Sequence, residues 1–345
     1  MRLSVAVLLV VLLPNVSRAQ KRPCAVTASA QAIDPSSFPD KASIKFAMSV
    51  WWTTLRDPRM LGYQDAMAFG SVLPYYYDPA PLWMPMAGLS LEAFVATEGK
   101  RSIPVLSAEP RSGPLRIAFV VENGRRVTAA QRQVESAALK AILSVARRDD
   151  SFAFLSTAAP RAAVPFGSSR NAIELASERQ SELKHKEPRD GGVSSALRAS
   201  VQLFGTPQEG DAIILLARTV AGSQRAGVRS ALTSRGMRLF SLGLDAMVES
   251  GWGDGSSINP LATISEETGG GWEQAGPLPH KDRVTDTKLR VARKYARKLY
   301  EMAATYYALR LEHTGPHVVI GLSSHTLDQT PWARVVYPKP LAVCP

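Results

Sequence analysis

His313 and His317 stand four residues apart, the spacing with which one face of a helix holds a zinc ion. Gly315 and Pro316 lie between them, and a proline there breaks the helix that the spacing requires, so the pair reads as part of a turn. The other histidines, His185, His280 and His325, are isolated. Gly124 and the run Gly269-Gly270-Gly271 lack the Lys-Ser/Thr ending of a phosphate loop. Ser168-Ser169 and Ser194-Ser195 lack the Gly-x-Ser-x-Gly turn that exposes a nucleophilic serine. Glu266 and Glu267 fit the end of a helix better than an acid–base pair. The expectation is a chain with no catalytic residues, no metal and no cofactor.

Charge is the chemistry that remains. The chain carries 41 basic and 30 acidic side chains, a formal net charge of +11. Much of the excess lies in 281–298, where Lys281, Arg283, Lys288, Arg290, Arg293, Lys294, Arg297 and Lys298 are opposed only by Asp282 and Asp286. Such a run is the footprint of a protein that adheres to an anionic polymer or surface, and it is equally the solvated face of a helix. The candidate anion-binding residues are Lys288, Arg290, Arg293, Lys294, Arg297 and Lys298. Tyr295 and Tyr300 fall nearer the apolar stripe than the cations, so a stacking platform for bases is not expected.

The amino terminus has Arg2, an apolar run over 5–13, and small residues Ser17 and Ala19 before Gln20, the pattern of a signal peptide over 1–19. That run is half the length that spans a bilayer, and no other stretch reaches about twenty apolar residues, so the mature chain is expected to be exported without a transmembrane segment. In an oxidising compartment Cys24 and Cys344 can bridge, although spacing does not decide whether they meet, and two unpaired thiols in frayed tails remain the alternative. Lys21, Arg22 and Pro23 precede Cys24 where a lipid anchor calls for small or apolar residues.

The elements that must position these groups follow from periodicity. Residues 25–40, rich in Ala, Ser and Pro, read as an irregular leader; 42–51 alternates like a strand; and 57–85, with Tyr75, Tyr76 and Tyr77, reads as an aromatic loop region. From 115 strands alternate with helices. Strands are expected over 115–121, 152–156, 212–217 and 237–242, with helices over 128–145, 172–180, 194–203 and 226–234. The alternation predicts an α/β fold with a mainly parallel sheet, helices on both faces and ligands at the carboxyl ends of its strands. A long helix follows, with Leu289, Ala292, Ala296, Leu299, Ala303 and Tyr306 on one side and Thr285 or Thr287 as its cap. The chain divides into a 20–114 leader and β-containing segment, a 115–275 domain, and a 276–345 tail of basic helix and strands, the two flanks forming a smaller β-rich region.

Several segments resemble the von Willebrand factor A (VWA)-related family first grouped from acidobacterial proteins. Gly88-Leu89-Ser90-Leu91-Glu92-Ala93-Phe94 and Glu98-Gly99-Lys100 are similar to the stretch in which a Gly-Leu-Thr turn precedes an acidic helix and a Glu-Asp-Gly-Lys turn. Leu261 to Gly270, reading Leu-Ala-Thr-Ile-Ser-Glu-Glu-Thr-Gly-Gly, resembles the carboxyl-terminal helix of such domains. Tyr306-Tyr307-Ala308-Leu309-Arg310 and the strands expected over 317–323 and 332–337 resemble the family's ending. The resemblance implies a Rossmann-like VWA domain and a role in binding other proteins outside the cell. A working metal site in such a domain uses an Asp-x-Ser-x-Ser loop, a Thr and a second Asp to hold Mg²⁺. At those positions this chain has Glu122, Gly124, Arg126, Val193 and Arg218, which leaves one carboxylate of five ligands. Two guanidinium groups repel a cation, so the site is expected to be metal-free. Arg218 or Arg126 is expected to pair with Glu122 in place of the ion, the alternative being a solvated loop surface.

Overall fold

The computed structural model describes residues 24–33, 83–124, 127–160, 162–180, 192–218, 220, 224–244, 260–275, 284–330 and 333–341. Its centre is a five-stranded sheet of β6 (Arg116–Val121), β7 (Ser151–Ser156), β8 (Ala212–Ala217), β9 (Arg238–Gly243) and β10 (Gly271–Gln274). Every pairing in it is parallel, in the order β10-β9-β8-β6-β7. These strands are near-continuous apolar runs because both faces are covered. Ile117, Phe119 and Val121 pack to one side with Phe152, Ile214 and Phe240, under α1 (Ala129–Val145), α2 (Arg170–Arg179) and α6 (Asp286–Ala304). Ala118 and Val120 pack to the other with Leu155, Ile213 and Leu239, under α3 (Gly192–Leu203), α4 (Arg225–Thr233) and α5 (Pro260–Glu267). The fold is thus α/β with helices on both faces, as the alternation predicts.

Local signals set the helix starts. Thr128 caps α1 by accepting from the Gln131 amide at 3.1 Å, Ser169 caps α2, and Thr285 caps α6, each such cap contributing about 1 kcal/mol. α6, grouped with the tail in the sequence reading, belongs to the same apolar cluster as α1 and the parallel sheet: Ala292, Tyr295, Ala296, Leu299 and Ala303 are all buried there. Arg238 at the start of β9 is wholly buried and donates to the carbonyls of Gly210 and Ala303, tying the end of α6 to the sheet. Burial lowers its pKa to about 10, and Tyr306 lies under the guanidinium at 4.5 Å.

The leader and the tail together build a second, antiparallel layer. β1 (Cys24–Ile33) runs between β11 (Tyr307–Leu311) and β13 (Arg334–Val336), and it also pairs with β2 (Trp83–Pro85). β11 pairs in turn with β5 (Val105–Pro110), and a three-stranded sheet joins β12 (Val318–Leu322), β3 (Phe94–Glu98) and β4 (Arg101–Ile103). Here the structure corrects the expectation of an irregular leader over 25–40: its first part, up to Ile33, belongs to the ten-residue strand β1. Its inward positions Val26, Ala28, Ala30 and Ala32 are small, and the intervening Ser29 and Gln31 are also buried, so neither the size nor the alternation that marks a strand is present. The strand-like 42–51 and most of the aromatic region lie outside the described residues. Of the acidic helix implied near Glu92 only a single 3-10 turn, Leu91–Ala93, forms before the β3–β4 hairpin. α7 (Ser324–Gln329) follows β12.

Candidate functional site at the switch point of the parallel sheet

In a sheet of this order the strand connections reverse between β6 and β8, and the crevice outside their carboxyl ends is where such folds place ligands. Glu122 follows β6 and Arg218 follows β8, so topology brings them to that point. The Glu122 amide still donates to Leu216 O at 2.9 Å, extending the ladder. Beyond it the chain is anchored by Asn123, whose amide donates to Thr157 Oγ1 at 2.8 Å while the Thr157 hydroxyl donates back to Asn123 O at 2.8 Å. The Asn123 side chain donates to Gln180 O at 3.1 Å and accepts from the Gly124 amide at 2.9 Å.

The Glu122 carboxylate is fully engaged. Oε1 accepts from Arg218 Nη2 at 3.0 Å, and Oε2 accepts from the Arg218 backbone amide at 2.7 Å and from Gln131 Nε2 at 3.5 Å. The two side chains keep 15% and 28% of their surface, so the pair is shielded from bulk water without being sealed. Gln131 Nε2 also donates to Glu135 Oε1 at 2.8 Å. Burial pushes the Glu135 carboxyl well above its usual range; the Gln131 hydrogen bond opposes this and the negative charge of Glu122 adds to it. Glu135 therefore favours its neutral form, and Glu122 has the guanidinium as its counter-charge.

Of the other positions carried over by the resemblance, Val193 is 8% exposed and packs with the apolar cluster under α3, and Gly124 offers no side chain. Arg126 lies outside the described residues. A hard divalent cation needs about six oxygen ligands. Here it would find one carboxylate, already held by a guanidinium, and no hydroxyl at Gly124 or Val193, so the residues do not fit Mg²⁺.

Sequence reasoning missed Gln131, Glu135, Asn123 and Thr157. One signal was available: Gln131 and Glu135 are four apart on α1 and sit beside the apolar residues Val134 and Ala138, so they share the face turned to the sheet.

The cationic helix divides into two kinds of residue. Arg290, Arg293, Lys294 and Arg297 are exposed. Lys288 is partly buried and desolvation lowers its pKa. Lys298, read as a candidate anion-binding residue, instead points inward, 2.6 Å from Glu273 of β10, because it lies on the helical face of Tyr295 and Met302. Lys281 and Arg283 lie outside the described residues.

The segment 261–270 is a structural junction. Glu266 accepts from Arg334 at 2.9 Å, and that guanidinium also covers Trp83 at 3.8 Å and donates to Gln31 at 3.2 Å. Glu267 pairs with Arg229 at 3.2 Å, and Thr268 Oγ1 accepts from the Leu239 amide at 3.1 Å. His313 lies 3.5 Å from Glu98 in a turn region, as Gly315 and Pro316 require.

No family model matches the chain, and no curated protein does. Among solved structures, the human COPII-coat protein Sec24c aligns at 8% identity and a TM-score of 0.38, over 67% of this chain and 44% of that one. The azoreductase of Bacillus anthracis str. Sterne aligns at 11% identity and a TM-score of 0.29, over 55% of this chain and 99% of that one. This chain therefore spans less than half the length of Sec24c.

Proposed function

We propose that this chain is an exported, non-enzymatic protein-interaction module of the VWA-related type, in which an arginine has taken the place of the metal ion. The observation that carries the reading is the pairing of Glu122 with both the backbone amide and the guanidinium of Arg218 at the switch point of the sheet. In a metal-dependent domain a cation at this point receives a partner's carboxylate. With Arg218 there, a guanidinium fixed by Glu122 stands at that point without any metal loading, and 28% of the Arg218 side chain stays exposed toward an incoming group. Two residues at the carried-over ligand positions support the same reading, since Gly124 and Val193 supply no oxygen for a cation.

The test is isothermal titration of the mature, EDTA-stripped protein with Mg²⁺ and Mn²⁺, beside a Glu122→Ala variant. No heat of binding is expected from either protein. Heat that appears with the native protein and vanishes with Glu122→Ala would overturn the proposal.

A further inference from the structure

Some surface arginines and lysines of this fold are matched by a carboxylate, Lys140 by Glu178, Arg229 by Glu267 and Arg310 by Glu209, while others, such as Lys100, Arg101 and Arg198, are exposed with no such match among the described residues. The outward face of α6 gathers four such cations on one side of a single helix. Arg290, Arg293, Lys294 and Arg297 are exposed along about 10 Å of helix axis, and none of the four is in an ion pair among the described residues. Among the described residues, the elements packed around α6 offer them little counter-charge. α1, β2, β9 and β10 carry only two carboxylates: Glu135, buried against Gln131, and Glu273, buried against Lys298. The helix's own acids, Asp286 and Glu301, are exposed on the same face one turn beyond Arg290 and Arg297 and so bound the ridge at its two ends, and among the described residues neither forms an ion pair with it. At its carboxyl-terminal end the Tyr300 hydroxyl accepts from the Arg147 amide at 2.9 Å, which sets the exposed Arg147 and Arg148 beside the ridge, together with exposed Asp149.

We propose that this ridge is a docking surface for a linear polymer with a phosphate backbone. Three of the four cations are arginines, whose planar fork matches a phosphate through two parallel hydrogen bonds. An anionic membrane is the poorer fit. A helix that lies in a lipid interface offers it an apolar face, whereas the apolar face of α6 is covered by α1 and the sheet, and no large apolar side chain of α6 is exposed. Tyr295 is buried and leaves no aromatic platform on the ridge, so recognition runs through phosphates and is indifferent to base sequence.

The test uses the full mature chain and a fluorescein-labelled 20-residue oligothymidylate, followed by anisotropy between 50 and 200 mM salt. Four phosphate contacts on a single strand give a log–log slope of about −3, which is a loss of roughly 50-fold in affinity over that range. Replacing Arg290, Arg293, Lys294 and Arg297 together by glutamine is expected to weaken binding at least about tenfold at 50 mM salt with an unchanged Tm, because none of the four packs in the core. A control variant removes the same charge elsewhere through Lys100→Gln, Arg101→Gln, Arg198→Gln and Arg225→Gln, all at exposed positions. It should bind like the native chain. Equal loss in both variants, or none in the ridge variant, overturns the proposal. So does a ridge-dependent association with phosphatidylglycerol vesicles in the absence of oligonucleotide binding, which would reassign the ridge to membranes.

Discussion

The guanidinium of Arg218 lies 3.0 Å from one oxygen of Glu122 while the Arg218 backbone amide donates to the other at 2.7 Å, so a single residue from the end of β8 satisfies both oxygens of a carboxylate from the end of β6. Shortening the side chain separates the two contributions. Arg218→Ala keeps the amide bond and leaves a part-buried carboxylate without its counter-charge. A loss of about 1–3 kcal/mol in urea unfolding is expected. The double variant Arg218→Ala/Glu122→Gln should recover much of that loss, since it removes the stranded charge. A double variant as unstable as the single one would mean that Arg218 acts through packing alone.

Glu135 gives the fold a pH dependence of predictable sign. Its folded pKa is raised from the ordinary 4.5 because burial penalises the charged form. Below 4.5 the carboxyl is neutral in both states and its contribution to stability is fully present. As pH rises from there towards the folded value, the unfolded chain ionises first and that stability is lost, at up to about 1.4 kcal/mol per pH unit. Glu135→Gln keeps the acceptor for Gln131 and removes the titration. The variant should therefore gain on the native chain as pH rises above that point. Urea unfolding from pH 4 to 8 reads it, and parallel curves would contradict the assignment.

Gly270 has no room for a side chain. A Cβ built there would lie 1.8 Å from the carbonyl oxygen of Leu239, which is backbone and held in the central sheet. Gly270→Ala must push α5 off β9, so a loss of several kcal/mol is expected, beyond the usual 1–3 of an overpacked core. Gly113→Ala, where nothing lies within 4 Å, is the matched control and should change stability by less than about 0.5 kcal/mol. Thermal melts of the two variants decide the matter.

Periodicity made the α/β core readable. The expected strand over 212–217 is β8 residue for residue, and Thr128 and Thr285 mark real helix starts, because buried parallel strands and capped amphipathic helices carry local signals. β1 was not legible: its inward residues are mostly alanines, and its place is fixed by pairing with strands more than 270 residues away. Arg238 escaped for a related reason, since a fully buried arginine is legible only once its carbonyl partners and Tyr306 are in place. At the site the sequence supplied Glu122 and Arg218 through the family resemblance, and charge suggested their pairing. Lys298 looked like its neighbours in the cationic run, and only the rotation of α6 against β10 separates it from them.

β1 and β13, from the first and last described segments, pair in the antiparallel layer, and this bears on the cysteines. Cys24 opens β1, is 2% exposed and is not a free thiol. Val26 shares an apolar cluster with Leu341, while Cys344 lies outside the described residues. A Cys24–Cys344 disulfide would close nearly the whole mature chain into one loop, for which chain entropy gives a stabilisation of about 6 kcal/mol. Intact mass of the secreted product under non-reducing, alkylating conditions should show a chain beginning at Gln20, no alkylated thiol, and two alkylations after reduction. Two alkylated cysteines before reduction would sink the disulfide, and a product that keeps Met1 would sink the signal peptide.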